Sequence, residues 1–379
     1  MVARIKRFLI HFYMKLCRIF PVDRNKVVIL SYYGRGFGDN GKGIALALLQ
    51  KKPDMDVVWA AFEEHRTSIP APIRFVPYCS LRYYWEMATA GVWIDNARKG
   101  IELCKRKDQF YIQTWHGMVA LKRIEKDVED QLSALYVRRA QYDSAMADLF
   151  LSGCTFFTDL CKRAFWYTGE ILESGSPRLD VMFQQNEETI RKIKATLGIE
   201  AHKKVLLYAP TFRADGNTDC YIQDYQQILQ TLEEKTGEEW VAAVRLHSNV
   251  ANKAGFITYT DKVYNATVIA DLYELIPAAD LVISDYSSLM FDAGLIGKTV
   301  FLYATDIEAY KADRGFYFEL QALPFMLAEN YDELIRNLQQ FDEFSYRQKL
   351  QAFNDSIGYC ERGNASELVA ERILLEMSK

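Results

Sequence analysis

Short apolar runs rich in β-branched residues alternate with helical patterns along most of the chain. Twelve of these runs predict strands, at residues 26–31, 56–62, 74–77, 91–95, 110–114, 149–152, 170–173, 205–209, 240–246, 262–264, 281–284 and 300–303. Stretches between them, such as 81–90 and 132–146, have the apolar spacing of helices. Strands that alternate with helices form parallel sheets covered on both faces. The pattern therefore predicts an α/β fold.

A charged stretch at residues 184–204 interrupts the alternation, which then resumes. At roughly 100–200 residues per domain, a chain of this length corresponds to two domains. We predict domains at 23–190 and 200–379, with a cleft between them. Ligands of open α/β sheets bind at the carboxyl ends of strands, so residues that directly follow strands are the first candidates for a functional site.

The first twenty residues contain five basic residues and no acidic residue, and on a helix they separate into two stripes. The basic stripe is Arg4, Arg7, His11, Lys15 and Arg18, and the apolar stripe is Ile5, Leu9, Phe12, Leu16 and Ile19. A signal peptide is disfavoured because basic residues interrupt the apolar run. We predict that residues 1–22 form an amphipathic helix that docks on an anionic membrane surface. The alternative is a helix packed on its own protein, with a solvated basic stripe.

Composition narrows the classes of function. Lys and Arg number 46 and Asp and Glu number 50, so the net charge of −4 gives no reason to expect a nucleic-acid partner. No apolar run reaches the roughly 18 residues of a membrane-spanning helix. The 7 cysteines are scattered and form no C-x-x-C pair, which disfavours a disulfide framework or a zinc site and suits a reducing cytoplasm.

Several polar residues follow predicted strands. His116 and Gly117 follow the strand at 110–114, and a neutral imidazole there could take a proton from an attacking hydroxyl group. Arg213 follows the strand at 205–209, where a guanidinium can contact phosphate. Arg245 and His247 share one face of the next strand end. Each also has a structural interpretation, as a buried histidine or a solvent-facing arginine.

The segment 280–292, DLVISDYSSLMFD, is the richest in candidate chemistry. Its strand leads into a polar turn and a helix, and Ser287 or Ser288 can cap that helix. A helix N-terminus is also a site for a diphosphate. Capping alone would explain the serines but not Asp285 and Asp292, which flank them. The glycine-rich segment 34–43 matches neither a dinucleotide fingerprint nor a P-loop, and it is either a flexible turn or part of an acceptor site.

Taken together, these motifs resemble the CDP-glycerol glycerophosphotransferase family, whose members build teichoic acids and related cell-surface polymers. The resemblance rests on HG at 116–117, APTFR at 209–213, R-x-H at 245–247, SDYSSLMFD at 284–292 and DRGFYF at 313–318. GSPRLD at 175–180 and the DN-x-K of residues 39–42 add to it. It covers residues 27–363.

The resemblance implies a glycosyltransferase-B-like pair of Rossmann-like domains, with the acceptor bound at 23–190 and the CDP-activated donor at 200–379. His116 matches the family's proposed base, and His247 matches its donor-phosphate histidine. The remaining donor-binding positions are Arg213, Arg245, Asp285, Ser287, Ser288, Asp292 and Arg314. The acceptor-binding positions are Gly117, Asp39, Asn40 and Lys42.

The sequence thus predicts an enzyme that transfers glycerol phosphate, or a related alditol phosphate, from CDP-glycerol or CDP-ribitol to a lipid-linked or glycan acceptor. We expect a peripheral protein on the cytoplasmic face of the membrane. No cofactor is predicted to be obligatory, and a divalent metal is neither required nor excluded. Two alternatives stay open: a nucleotide-sugar glycosyltransferase on the same fold, and a non-catalytic, membrane-docked scaffold.

Overall fold

The computed structural model describes residues 2–184, 186–213, 215–247, 250 and 255–379, without the side chains of 2–4 and 311–314. Its first sheet has seven parallel strands in the order β3-β2-β1-β4-β5-β6-β7. These strands are β1 (Asp23–Leu30), β2 (Asp56–Ala61), β3 (Arg74–Pro77), β4 (Ala90–Asp95), β5 (Phe110–Gln113), β6 (Leu149–Leu151) and β7 (Glu170–Leu172).

Successive side chains of each strand point to opposite faces of the sheet. Because the strands carry apolar side chains on both faces, helices cover both faces. Val27 and Ile29 of β1 belong to one apolar cluster, and Val28 and Leu30 belong to another. The helices in this part of the chain are α1 (Val2–Leu16), α2 (Asp39–Lys51), α3 (Leu81–Thr89), α4 (Ala134–Met146), α5 (Thr155–Ala164) and α6 (Asp180–Phe183).

The second sheet has six parallel strands in the order β10-β9-β8-β11-β12-β13. They are β8 (Lys204–Tyr208), β9 (Trp240–Val244), β10 (Val263–Asn265), β11 (Leu281–Ser284), β12 (Thr299–Tyr303) and β13 (Met326–Ala328). This is the strand order of a Rossmann fold, in which successive strands are added to one side of β8 as far as β10 and to its other side from β11 onward. The accompanying helices are α7 (Glu187–Leu197), α8 (Tyr225–Thr236), α9 (Leu272–Leu275), α10 (Leu289–Leu295), α11 (Ile307–Arg314), α12 (Tyr331–Gln340) and α13 (Glu343–Ile357).

The two predicted α/β domains are present, and all twelve predicted strands are confirmed with their ends shifted by at most three residues. The strand that the sequence pattern did not predict is β13, which has three residues.

The predicted domain boundaries need a correction at the C-terminal end. The first unit comprises Met1–Met118, Ile124–Asp180 and Gly358–Lys379, whereas the second comprises Val119–Arg123 and Val181–Ile357. The predicted domain at 200–379 is therefore wrong in including the last segment. Helix α14 (Ala365–Met377) explains the difference, because its Val369, Ala370 and Ile373 pack with Ile44 and Leu48 of α2 in the first core.

Helix α1 contacts the first unit by only one of its sides. Ile10 and Met14, with Cys17 just beyond the helix, are buried in the cluster that includes α3. A second apolar side is exposed, formed by Ile5, Phe8, Leu9, Phe12 and Leu16, and continued by Ile19 and Phe20. Among the described helices, none has the length and hydropathy to cross a membrane.

Candidate active site

His116 lies just beyond the carboxyl end of β5, as predicted. Its Nδ1 is 2.8 Å from the backbone carbonyl oxygen of Asn96. A carbonyl oxygen can only accept a hydrogen bond, so Nδ1 carries the proton of the neutral ring. The lone pair of the neutral imidazole is therefore on Nε2, which is the atom that a general base needs.

The environment of the ring favours its neutral form. Trp115 stacks on the imidazole with the ring centres 4.5 Å apart, and Tyr32 lies 5.7 Å away. Burial lowers the pKa of His116 below its ordinary value, although the Asn96 carbonyl and the charge of Asp39 oppose this. The imidazole is consequently unprotonated and able to accept a proton at neutral pH.

A buried polar network holds the backbone that carries His116. Arg178 donates a hydrogen bond from its guanidinium to the carbonyl oxygen of His116, and it lies 3.8 Å from the carboxylate of Asp39. The Asn40 side chain donates to the carbonyl of Trp115 at 3.0 Å and accepts from the backbone N–H of Arg178 at 3.1 Å. These contacts join three segments that are distant in sequence.

The predicted acceptor-binding residues thus fall into two groups. Asp39 and Asn40 are buried, and their described contacts support the His116 loop. Gly117 directly follows His116, and both Gly117 and Lys42 are partly exposed. Contact of any of these four with an acceptor stays a prediction.

Left-handed backbone conformations are concentrated around His116. Tyr32, Tyr33, Asp39 and Trp115 have φ values of 44°, 58°, 58° and 51°. Such conformations cost about 1 kcal/mol or more in residues other than glycine, and they are found preferentially at functional sites. Their clustering here supports a functional role for the loops that surround the imidazole.

In the second unit, Arg213 and Asp285 meet where the strand order reverses. Arg213 follows β8 and Asp285 follows β11, and the guanidinium donates to the buried carboxylate at 2.8 Å. The backbone N–H of Thr211 donates to the same carboxylate at 2.7 Å. Burial raises the pKa of Asp285 above its ordinary value, while Arg213 acts in the opposite direction. This pair fixes the two loops that border the expected ligand position.

Arg213 also holds residues that sequence reasoning did not single out. Its guanidinium donates to both carboxylate oxygens of Asp306, at 2.7 and 3.0 Å. The same group lies over the rings of Tyr286 and Tyr310, 5.2 and 5.3 Å from their centres. Arg213 is therefore a structural centre of this region, and a direct donor contact by its side chain stays a prediction.

Arg245 and His247 differ in their surroundings. Arg245 donates from its guanidinium to backbone carbonyls, including that of Ala266 at 3.3 Å and that of Ala270 at 3.2 Å. His247 is exposed, and its ring stacks on Phe212 with the centres 5.6 Å apart. Partial desolvation against the protein surface, followed by the charge of the neighbouring Arg245, lowers the pKa of the His247 imidazole. Arg245 thus shapes a loop, while the His247 side chain is exposed, and its contact with a donor phosphate stays a prediction.

The two serines beyond β11 have different roles at the start of α10. The Ser287 hydroxyl accepts a hydrogen bond from the backbone N–H of Leu289 at 3.3 Å. Ser288 occupies the N-cap position and makes no side-chain capping bond. Asp292 is buried within α10. The Arg314 side chain, predicted to bind the donor, lies outside the described residues.

Two positioning residues were not predicted from the sequence. Arg178 lies within the GSPRLD stretch, but the sequence pattern does not indicate a role for its side chain. Glu361 accepts hydrogen bonds from the backbone N–H and the hydroxyl of Ser176, at 2.8 and 2.6 Å. It ties the loop that carries Arg178 to the C-terminal segment of the first unit. No three His, Cys, Asp or Glu side chains of the described residues are grouped to hold a metal ion.

A protein-family model matches residues 10–375 and describes a CDP-glycerol:poly(glycerophosphate) glycerophosphotransferase. The chain belongs to this family. The family relationship confirms the resemblance found in the sequence and makes the chain an enzyme of the glycerophosphotransferase type.

Relatives in this family make teichoic acids. The teichoic acid poly(glycerol phosphate) polymerase of Bacillus spizizenii is 27% identical, with 98% of each chain covered. The polymerase of the same name from Bacillus subtilis is 31% identical over 93% of this chain. This chain spans only 49% of that longer protein.

Solved structures of the wall teichoic acid polymerase TagF have the same fold. A histidine-to-asparagine variant of TagF superimposes with a TM-score of 0.86 at 27% identity, covering 100% of this chain and 98% of that chain. The same type of variant soaked with CDPG gives a TM-score of 0.83 at 27% identity, covering 100% of this chain and 94% of that chain.

Proposed function

We propose that this glycerophosphotransferase adds glycerol phosphate to a growing or primed teichoic acid acceptor, with CDP-glycerol as its donor. An acceptor hydroxyl oxygen attacks the β-phosphorus, and a new phosphodiester bond forms. The bond from the β-phosphorus to the oxygen that bridges the two phosphates breaks, and CMP leaves with that oxygen. The hydroxyl proton passes to Nε2 of His116.

The observation that carries this mechanism is the state of His116. Its Nδ1 proton is directed to the Asn96 carbonyl, and burial keeps the ring neutral. Phosphoryl transfer depends chiefly on positioning and charge stabilisation. A correctly placed base in the first unit and a phosphate-binding site in the second are chemically sufficient.

The second unit supplies the donor site in this proposal. The loops after β8 and β11 lie where the strand order reverses, the usual ligand position of such sheets. Ser288 makes no capping bond, and His247 is exposed. We assign both to the diphosphate, with Arg213 and Asp285 holding the loops in place.

Donor binding tests this assignment by calorimetry. Wild-type protein should bind CDP-glycerol saturably, and His247→Ala should weaken binding about tenfold through loss of one phosphate contact. His202→Ala removes an exposed histidine of the same unit and should leave binding unchanged. CDP-ribitol, CMP and UDP-GlcNAc are the comparison ligands. Saturable binding of UDP-GlcNAc alone would instead identify a nucleotide-sugar glycosyltransferase.

We also propose that α1 attaches the enzyme to the cytoplasmic face of an anionic membrane. The exposed apolar side of α1, with Phe8 at 69% exposure, continues through Ile19 at 81% exposure, and it is large enough to insert into the interface between head groups and acyl chains. Basic residues of the same helix would contact anionic lipids. This location would bring the enzyme to a lipid-linked acceptor.

Vesicle co-sedimentation tests the attachment. Phe8→Glu should lower partitioning onto phosphatidylglycerol-containing vesicles about tenfold or more, because it replaces the aromatic ring that would insert into the membrane with a charged group. Phe344→Glu makes the same change at a phenylalanine that is 71% exposed in the second unit, and it should have no effect. Equal partitioning of the two variants would contradict attachment through α1.

A further inference from the structure

A second feature of the first unit is a cavity of about 400 Å³ that the mechanism above does not use. Its walls include Tyr33 beyond β1, Tyr78 beyond β3 and Asp95 at the end of β4. The cavity therefore lies at the carboxyl edge of the sheet, the same edge at which His116 follows β5. Its volume is in the roughly 300–1,000 Å³ range of small-molecule sites.

The cavity carries two cations without carboxylate partners. Lys99 and Asp95 form a buried ion pair at 2.7 Å, which neutralises both groups. Arg139 donates to the backbone carbonyl of Lys99 at 2.9 Å and lies over the Tyr33 ring, 5.0 Å from its centre. Within the described part of the chain, neither Arg139 nor Arg7, which also lines the cavity, forms an ion pair.

Five tyrosines in the wall suit a ligand rich in hydroxyl groups, and the carboxylate of Glu102 also lines the cavity. Tyr83, Tyr84 and Tyr136 line the cavity together with Tyr33 and Tyr78. Tyrosine rings combine apolar surface with a group that both donates and accepts hydrogen bonds. Guanidinium groups match the geometry of phosphate oxygens. Together they favour a polyol whose units are joined by phosphodiester groups.

The cavity is connected to His116 by the sequence neighbours of two wall residues, and to α1 by Arg7. Asp95 in its wall directly precedes Asn96, whose carbonyl oxygen orients His116, and Tyr33 directly follows Tyr32, which contacts the imidazole. Arg7 belongs to α1, the helix whose apolar side is exposed. A ligand in this cavity would lie between a membrane-facing helix and the catalytic base.

We propose that the cavity binds the glycerol phosphodiester portion of the acceptor chain and directs its terminal hydroxyl group toward His116. This inference rests on the proposed function and adds to it a subsite, with the chemical class that the subsite selects. Arg7 and Arg139 contact phosphodiester oxygens, and the tyrosines contact the polyol.

Calorimetry without vesicles tests the subsite, because membrane attachment cannot contribute to the signal. The probe is synthetic, water-soluble tri(glycerol phosphate), titrated into the purified full chain. We expect saturable binding that Arg7→Gln weakens about tenfold through loss of one charged phosphate contact. The matched control is Lys6→Gln, which removes the same charge from the adjacent, exposed residue of α1. Lys6 does not line the cavity, so its loss should change binding less than about twofold.

Three results would overturn the proposed subsite, and the third distinguishes a lipid site from an acceptor site. Equal weakening in the two variants would mean diffuse charge attraction. Absence of saturable tri(glycerol phosphate) binding, in protein that still binds CDP-glycerol, would remove the subsite and leave the proposed function intact. Failure to bind CDP-glycerol would instead contradict the proposed function. Dihexanoyl-phosphatidylglycerol carries the same phosphodiester as a lipid head group, and competition equal to that of tri(glycerol phosphate) would identify a lipid site and overturn the proposal.

Discussion

Replacing His116 with glutamine is expected to lower kcat by about 10²–10⁴-fold, the usual contribution of a positioned general base. Glutamine retains a polar side chain but cannot take the proton of the acceptor hydroxyl. Calorimetric affinity for CDP-glycerol should be unchanged, since the proposed donor site lies in the second unit. The measurement is steady-state turnover with CDP-glycerol and a lipid-linked acceptor.

His65→Gln provides the control, because it makes the same change at a partly exposed histidine of the first unit. It should leave kcat unaltered. If His116→Gln retained wild-type kcat, another group would have to accept the proton. A loss of CDP-glycerol affinity equal to the loss of kcat would place His116 in donor binding rather than in proton transfer.

The pH dependence of kcat/KM is a second consequence of the buried environment of His116. Burial lowers the pKa of His116 below 6.5, so the active, unprotonated form persists below that pH. The acidic limb of kcat/KM should therefore lie on the acid side of pH 6.5, with activity falling as the ring becomes protonated. In His116→Gln this limb should disappear from the residual activity. A limb above pH 6.5 would mean that the imidazole is not desolvated as the structure shows.

Among the variants described, removal of the Arg213 guanidinium should lower the free energy of unfolding most. Arg213→Met leaves the carboxylate of Asp285 buried without its cation, and losses of about 3–5 kcal/mol are typical for such a change. The substitution also removes the two hydrogen bonds that Arg213 donates to Asp306, so the loops around the proposed donor site should become more mobile. We expect a drop in Tm of about 6–20 °C, measured by scanning calorimetry, and a loss of CDP-glycerol binding.

Two further variants distinguish the loss of the buried Arg213–Asp285 ion pair from the effect of removing any arginine. Arg347→Met removes an arginine from an exposed ion pair with Glu343, and such pairs contribute about 0–1 kcal/mol. It should barely change Tm. Adding Asp285→Asn to Arg213→Met should recover part of the loss, because no buried charge is then left unpaired. Strictly additive effects of the two substitutions would contradict a coupled pair.

Local patterns in the sequence carried the prediction of strands and of strand-end residues. Buried parallel strands are apolar along their whole length, so β8 and β11 were visible without knowledge of their neighbours. His116 and Asp285 were found because the residues that follow such strands form the ligand edge of the sheet. The family motifs then connected these separate positions.

Long-range pairing is what the sequence could not show. Helix α14 has an apolar face, but no local pattern indicates that it covers the first sheet instead of the second. The contact between Arg178 and the His116 carbonyl joins residues 62 positions apart. Arg213 similarly faces Asp306, 93 residues away, which only the folded chain brings together.

The identity of the nucleotide product distinguishes transfer of glycerol phosphate from transfer of glycerol alone. Turnover of CDP-glycerol in the presence of a lipid-linked glycerol phosphate acceptor should release CMP, in a one-to-one ratio with glycerol phosphate added to the acceptor. Phosphorus NMR or chromatography identifies the product. CMP in that ratio requires cleavage between the two phosphates, which is attack at the β-phosphorus. Release of CDP would mean that the glycerol is transferred without its phosphate, and it would contradict the proposed phosphotransfer.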